Sequence, residues 1–301
     1  MDELIAGAAE EGLRLDVFLA EIYEEKSRSF FQKLLKEGRV FVNKKAVKPS
    51  YTVREEDVIF VDFPEPVPLE ILPEDIMLDI VYEDSDVILV NKPKGMVVHP
   101  AAGHYSGTMV NALLYHCRDL SGINGVLRPG IVHRIDRDTT GIVIACKNDN
   151  AHRSIAAQLF EHSVTRRYTA LVNGGFKEDE GTVDAPIGRS LSDRKKMAVR
   201  EDGKEAVTHY RVLERFQNYT LVECRLETGR THQIRVHMAH IGHPLVGDEV
   251  YGSKKSPFKT EGQCLHAGTL GFVHPQTGEY MEFQSPLPAY FEKILSVLRK
   301  D

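Results

Sequence analysis

Ile131-Val132-His133-Arg134-Ile135-Asp136-Arg137-Asp138-Thr139-Thr140-Gly141-Ile142-Val143-Ile144-Ala145-Cys146-Lys147-Asn148 places a cluster of charges between two apolar runs. A strand buried on both faces reads as a continuous apolar run, so Ile131-Val132 and Ile142 to Ala145 predict interior strands. Thr139-Thr140-Gly141 then predicts the turn that leads into the second of them. Charges held between interior strands are paired, hydrated in a cleft or functional, because an isolated charge is costly to bury. From this stretch alone, a polar hairpin tip explains the cluster as well as a reactive site does.

A chain of 301 residues, 42% hydrophobic and 27% charged, is long enough for a sizeable core and fits one large domain with a small one. No apolar run approaches the roughly 20 residues that span a bilayer, and Met1-Asp2-Glu3-Leu4 lacks the basic and apolar regions of a signal peptide. A cytoplasmic protein with no membrane partner is therefore expected. Cys117, Cys146, Cys224 and Cys264 are scattered without a Cys-x-x-Cys pair, which indicates neither a disulfide framework nor a cysteine-ligated zinc. The net charge of −6 argues against a polyanionic partner, but its distribution argues for one. Between Lys26 and Arg54, nine basic residues stand against one acid, Glu37.

Near the start, Leu15, Phe18, Leu19 and Ile22 follow helical spacing. Ser27 or Ser29 is placed to cap a second helix that runs to Leu35 and ends at Gly38. Val40 to Val42 and Val58 to Val61 predict short strands, with a turn at Asn43-Lys44, giving a small α/β domain over residues 1–62. Pro64, Pro66, Pro68 and Pro73 make residues 63–78 a semi-extended linker, since such spacing disfavours helix and central strand alike. Residues 79–301 mix strands and helices irregularly without an internal repeat. Helices are predicted at Asn111 to His116, at Ala151 to His162 with Asp149 or Asn150 as cap, and at Thr231 to Ile241; the class is α+β with a mixed sheet. Arg189 to Arg200 adds a second basic patch in a loop or hairpin.

The stretch Ser27 to Pro49 resembles the alpha-L RNA-binding motif of S4-type domains, a likeness covering about residues 13 to 62. It implies that the basic helix face and the following turn meet RNA backbone, making Arg28, Lys33, Lys36, Arg39 and Lys45 candidate phosphate contacts that position RNA without reading its sequence. His133-Arg134-Ile135-Asp136 with Thr139-Thr140-Gly141, then Arg167-Tyr168, then Gly229-Arg-Thr-His-Gln-Ile-Arg-Val-His237 are similar to three ordered signatures of the RluA and RluD family of RNA pseudouridine synthases. Val90-Asn91-Lys92-Pro93 and Leu265-His266-Ala267 are similar to its flanking motifs, and an S4-type domain ahead of the catalytic one is the RluD arrangement. The resemblance implies a catalytic domain built on a mixed, largely antiparallel sheet. It also implies isomerisation of uridine to pseudouridine in RNA, with large-subunit (23S) ribosomal RNA as the expected partner and with no cofactor and no metal; nothing in the sequence indicates an oligomer, so a monomer is the default expectation.

Residue by residue, the resemblance makes Asp136 the catalytic carboxylate, a role that suits a group able to act covalently or to take a proton. Attack on the ribose, attack on the base, and removal of a ribose proton to give a glycal all stay open. Arg235 matches the arginine that pairs with this carboxylate, a task fitted to a bidentate guanidinium fork, and Arg230 is the second candidate. Tyr168 corresponds to the aromatic that lies against an extruded base and takes its carbon-bound proton. Arg134 matches the residue that fills the gap left in the RNA stack, His133 joins the substrate-binding set, and Leu270 is expected as a pocket wall, while Asp138 is a turn residue. A metal hydrolase using His232, His237, His240 and His243 lacks the His-Glu-x-x-His spacing, and a kinase loop lacks its glycine-rich partner. A noncatalytic RNA-binding protein of ribosome assembly would keep the basic module without needing Asp136, Tyr168 and Arg235 together; a synthase acting on transfer RNA would keep every signature.

Overall fold

The computed structural model describes residues 2–23, 26–64, 71–100, 104–123, 125, 128–193, 196–253 and 256–300, and the chain divides after residue 68 into two compact units. Unit 1 contains β1 (Asp2–Ile5), α1 (Leu15–Ile22), α2 (Arg28–Lys36), β2 (Val40–Val42), β3 (Lys45–Ala46) and β4 (Val58–Val61). The strands form an antiparallel sheet in the order β1-β4-β2-β3. Its core joins Leu15, Phe18 and Leu19 of α1 to Phe31, Leu34 and Leu35 of α2 and to Val40, Val42, Ile59 and Val61 of the sheet. Burying each such side chain contributes roughly 1.5–3 kcal/mol. Ser27 caps α2 by accepting the Phe30 N–H at 3.3 Å. Asn43 and Lys44 both adopt positive φ (49° and 66°), the backbone that lets a two-residue hairpin match the strand twist. β1 has no apolar alternation to announce it, and forms by adding to the free edge of β4.

Beneath this unit's basic surface Asp16 is fully buried. It accepts hydrogen bonds from Arg14 (3.0 and 3.2 Å), Arg28 (3.0 Å) and Gln32 (2.6 Å). Burial by itself would raise its carboxyl; the bonds from Arg14, Gln32 and Arg28 outweigh burial and hold it well below the usual carboxylate range.

Unit 2 contains β5 (Ile80–Glu83), β6 (Val87–Lys92), α3 (Met109–His116), β7 (Thr140–Cys146), α4 (Asp149–Phe160), β8 (Thr165–Asn173), β9 (Glu180–Asp184), β10 (Ile187–Arg189), β11 (Met197–Val199), β12 (Val207–Arg215), β13 (Tyr219–Leu226), α5 (Gln233–His240), β14 (Leu265–Val273), β15 (Tyr280–Gln284) and α6 (Ala289–Leu298). Its main sheet runs β5-β6-β7-β14-β8-β13-β12-β9, with β15 also on β14. Every pairing is antiparallel except β7 with β14, which makes the sheet mixed and largely antiparallel. β7 is buried along its length because helices cover both faces: Val143 and Ala145 enter one core with α3 and α5, while Ile142, Ile144 and Cys146 enter another with α4. β10 and β11 form the hairpin expected near Arg189; Arg194 and Lys195 of that patch lie outside the described residues.

Several local expectations change. Ile131-Val132 is not a strand: Ile131 makes one isolated bridge, to Ala145, and the His133 ring, not a backbone carbonyl, accepts the Ile144 N–H at 3.1 Å. The turn falls earlier than Thr139-Thr140-Gly141, with the Thr139 N–H donating to the Asp136 carbonyl, and Gly141 already lies within β7. There, at φ 114°, a Cβ would overlap the Ala267 backbone of β14, so only glycine permits the parallel contact. The cap of α4 is Asn148, accepting the Ala151 N–H at 2.9 Å, rather than Asp149 or Asn150. In the expected linker, residues 65–70 lie outside the described residues. Beyond them Ile71 is buried in unit 2's core, and Leu72 and Glu74 hydrogen-bond to Asn111, so extended chain is tied to α3. Among the described residues, no helix is long and apolar enough to cross a membrane.

Asp16→Ala is expected to lower the unfolding free energy of unit 1 by about 1–3 kcal/mol at pH 7, measured by denaturant unfolding of the whole chain. Because the folded-state pKa lies below the unfolded one, this contribution is present above the ordinary Asp pKa and is lost as pH falls through the folded value. Coincident unfolding curves at pH 7 would show that the buried carboxylate stabilises nothing.

Candidate active site

The loop from Ile131 to Thr139, the start of β8 and the β13–α5 connection meet around a cleft of about 800 Å³. Buried Ile135 pins the loop to the core, and Asp136 follows it with its side chain one-fifth exposed. From below, fully buried Lys92 donates to the carbonyls of Pro93 (2.8 Å), Met96 (2.8 Å) and Arg137 (2.9 Å). Burial pulls its pKa down to about 7, opposed by Asp138 and Asp136. Three carbonyls ask for three donors, which only the ammonium form supplies, so the cage itself favours the charged state.

Arg235, on the first turn of α5, donates through Nη1 to Asp136 Oδ2 at 2.9 Å. Its fork is used elsewhere: Nε and Nη2 donate to the two oxygens of Asp248 at 2.7 and 3.0 Å. Asp136 therefore takes one hydrogen bond from a guanidinium that Asp248 holds bidentately, which corrects the expectation of a fork on Asp136. Asp248 is itself fixed by accepting the N–H groups of Val250 and Tyr251 at 3.0 and 3.1 Å. The Tyr251 ring covers Arg235 with its centroid 5.1 Å from Cζ. Burial opposes the Arg235 charge, but the Asp248 bonds and the Asp136 charge outweigh burial and raise its pKa. His232 Nε2 lies 3.8 Å from the other Asp136 oxygen.

Tyr168 lines the same cleft from β8 and is nearly buried. Burial pushes its phenol up, Arg166 opposes, and Asp136 adds to the rise, so it is a neutral O–H donor at physiological pH. Arg134 is exposed on the rim. His133 reaches the cleft, but its Nε2 is occupied by β7, and burial together with the Arg166 charge brings its pKa down to about 3. Arg230 lines the cleft without pairing with Asp136, its Nε donating to the Glu205 carbonyl at 2.8 Å. Leu270 does not form the wall: it packs under β7 with Ile142 and Ile144, because side chains alternate along β14 and Leu265 is the residue facing the cleft. Asp138 is held by its neighbour Arg137 at 2.9 and 3.0 Å. His237 bonds Thr208 and the Ala185 carbonyl, and His243 the Asn173 carbonyl, so these histidines serve the scaffold. In unit 1, Arg28 is tied to Asp16 and Arg39 to Asp62 (2.8 Å), Lys33 is 3.7 Å from Glu37, and Lys36 and Lys45 are exposed.

Sequence reading missed Asp248. The only signal was an acid between Gly247 and a downstream Tyr-Gly, a pattern that fits any turn. Gly247 (φ 77°) is needed because a Cβ would overlap Thr260 and the Gly262 carbonyl.

Residues 86–240 match the model of the RNA pseudouridylate synthase family, and residues 13–59 match the S4 domain. The chain belongs to the RNA pseudouridylate synthase family. The synthase is 56% identical to the uncharacterized RNA pseudouridine synthase YlyB of Bacillus subtilis, over 99% of this chain and 98% of that protein. It is 48% identical to the ribosomal large subunit pseudouridine synthase D of Zymomonas mobilis, over 95% of this chain and 94% of that one. Among solved structures it is similar to human RNA pseudouridylate synthase domain containing 1, with TM-score 0.59 and 26% identity, covering 79% of this chain and 98% of that chain. The family match spans Asp136, Tyr168 and Arg235 and stops short of Asp248.

Asp248→Ala in this synthase is expected to strand the Arg235 guanidinium, costing about 3–5 kcal/mol of stability and roughly 10- to 100-fold in kcat as Arg235 loses its aim. Thermal unfolding and single-turnover rates measure the two effects. An unaltered single-turnover rate in a folded variant would mean that Arg235 is positioned without Asp248.

Proposed function

We propose that this synthase isomerises uridine to pseudouridine in large-subunit ribosomal RNA in the cytoplasm, as a monomer, with Asp136 as its catalytic carboxylate. The observation that carries this reading is the 2.9 Å bond from buried Arg235 to Asp136, in a cleft whose wall includes Tyr168. The Zymomonas mobilis relative's name supports the ribosomal target.

The reaction breaks the bond from ribose C1′ to N1, turns the uracil and forms a bond from C1′ to C5. The C5 proton is lost and N1 gains one, so no electrons leave the nucleotide and no oxidant or cofactor is called for. Arg235 holds Asp136 in one orientation through a charge-assisted hydrogen bond, as required for attack on ribose or base and for removal of a ribose proton alike. In this reading Tyr168, on the cleft wall, lies against the base, and its neutral phenol relays the C5 proton by passing its own O–H proton on as it takes that one up. Arg134, exposed at the rim, is placed to enter the gap that an extruded nucleotide leaves in its stack. In the S4 domain, Lys33, Lys36 and Lys45 project into solvent and serve as phosphate contacts, while Arg28 and Arg39 share their charge with Asp16 and Asp62.

With transcribed large-subunit ribosomal RNA and no added metal or cofactor, the wild-type protein is expected to yield pseudouridine, mapped by chemical modification and primer extension. Asp136→Asn is expected to yield none while still binding the RNA. Product from Asp136→Asn would sink the assignment, and product formed only in transfer RNA would move the target while leaving the chemistry. Replacing Lys33, Lys36 and Lys45 by alanine is expected to make log affinity less steep in log salt, by about 0.7–0.9 for each phosphate that the variant no longer neutralises. The same slope in the triple variant would remove these lysines from the RNA interface.

A further inference from the structure

The cleft holds a second buried cation that the Asp136 chemistry does not use. Arg166 stands two residues before Tyr168 on β8, on the same face of the strand, lines the cleft and is 7% exposed. Arg235 at comparable burial is held by two carboxylates; among the described residues no carboxylate pairs with Arg166. Its Nη2 donates to the Glu227 carbonyl at 2.8 Å, and its Nε is buried without any acceptor among the described residues. Burial depresses its pKa, countered only by the Tyr168 phenol. A guanidinium stripped of water, with donors unfilled and no counter-charge, is strongly disfavoured unless an anion completes it.

Gly229 keeps this cation where it is. A Cβ there would lie 2.7 Å from Arg166 Nη1, and the only carboxylate lining the cleft among the described residues is Asp136, already held by Arg235. RNA brings one anion in quantity, its phosphodiester. Two residues on one strand face are about 7 Å apart, a span that a nucleotide bridges from base to phosphate.

We propose that Arg166 binds a phosphodiester of the RNA strand that enters the cleft, while Tyr168 lies against the base, with Gly229 leaving the space that the guanidinium occupies. This rests on the target nucleotide entering this cleft, as in the proposed function. The contact anchors the flipped nucleotide by its backbone, so it acts on binding before chemistry.

The test uses the full chain and transcribed large-subunit ribosomal RNA, with affinities measured in an Asp136→Asn background. Arg166→Gln is expected to raise KM about tenfold, more than it lowers kcat, and to reduce the salt slope by about 0.7–0.9, the share of one phosphate. Arg166→Lys is expected to restore the slope, which a purely structural strut to the Glu227 carbonyl would not require. A folded Arg166→Gln protein with wild-type KM and salt slope, or with its loss confined to kcat, overturns the proposal. If Arg166→Gln does not fold, Gly229→Ala decides: it crowds Nη1 with the cation intact and is expected to raise KM several-fold, and a wild-type KM overturns the proposal. Turnover by Asp136→Asn would defeat the catalytic assignment yet leave the Arg166 binding effect to be read separately.

Discussion

The active site depends on one guanidinium shared unequally by two carboxylates. Arg235 gives its fork to fully buried Asp248 and a single N–H to partly exposed Asp136. Each buried charge is compensated by the other, and removing either partner would leave an unpaired charge in the interior. The consequence is that Arg235 is set by the scaffold before substrate arrives. Asp136 meets a donor whose direction was fixed 13 residues away, in the Gly247 turn, so the donor is preorganised.

The layering of the sheet makes this meeting possible. Asp136 and Arg235 lie 99 residues apart and come together because β7 is buried on both faces and β14 pairs with it in parallel through the Gly141 contact. Under the loop, Lys92 ties three carbonyls together, including that of Arg137 beside Asp136. The loop is irregular, yet it is held by an ammonium cage on one side and buried Ile135 on the other. Irregular backbone at a site is tolerated only where its polar groups are satisfied in this way.

Charge is distributed just as unevenly. The chain is acidic overall, but the cleft is lined by Arg128, Arg134, Arg166, Arg230 and Arg235 against Asp136. In unit 1, Asp16 lies under the basic helix and holds Arg28 in place, leaving lysines to face solvent. Local basic surfaces on an acidic protein favour approach of a polyanion to particular faces instead of general adhesion.

The sequence by itself determined the elements whose signal is local. α2 was legible because Ser27, the apolar spacing through Leu35 and Gly38 mark both ends. Asp136, Tyr168 and Arg235 each sit in an ordered motif, which singled them out in the sequence, and all three line the same cleft. Only the tertiary structure decided the rest. β1 exists because β4 has a free edge; Leu270 turns away from the cleft because of the alternation along β14; the fork goes to Asp248 because the Gly247 turn brings that acid beneath α5. Arg166 and Arg167 are adjacent arginines in the sequence, and the fold separates them: Arg166 is buried with no carboxylate partner among the described residues, whereas half-exposed Arg167 lies 3.8 Å from Glu282. Motifs name residues one at a time, whereas which donor meets which acceptor is set by contacts between segments far apart in the chain.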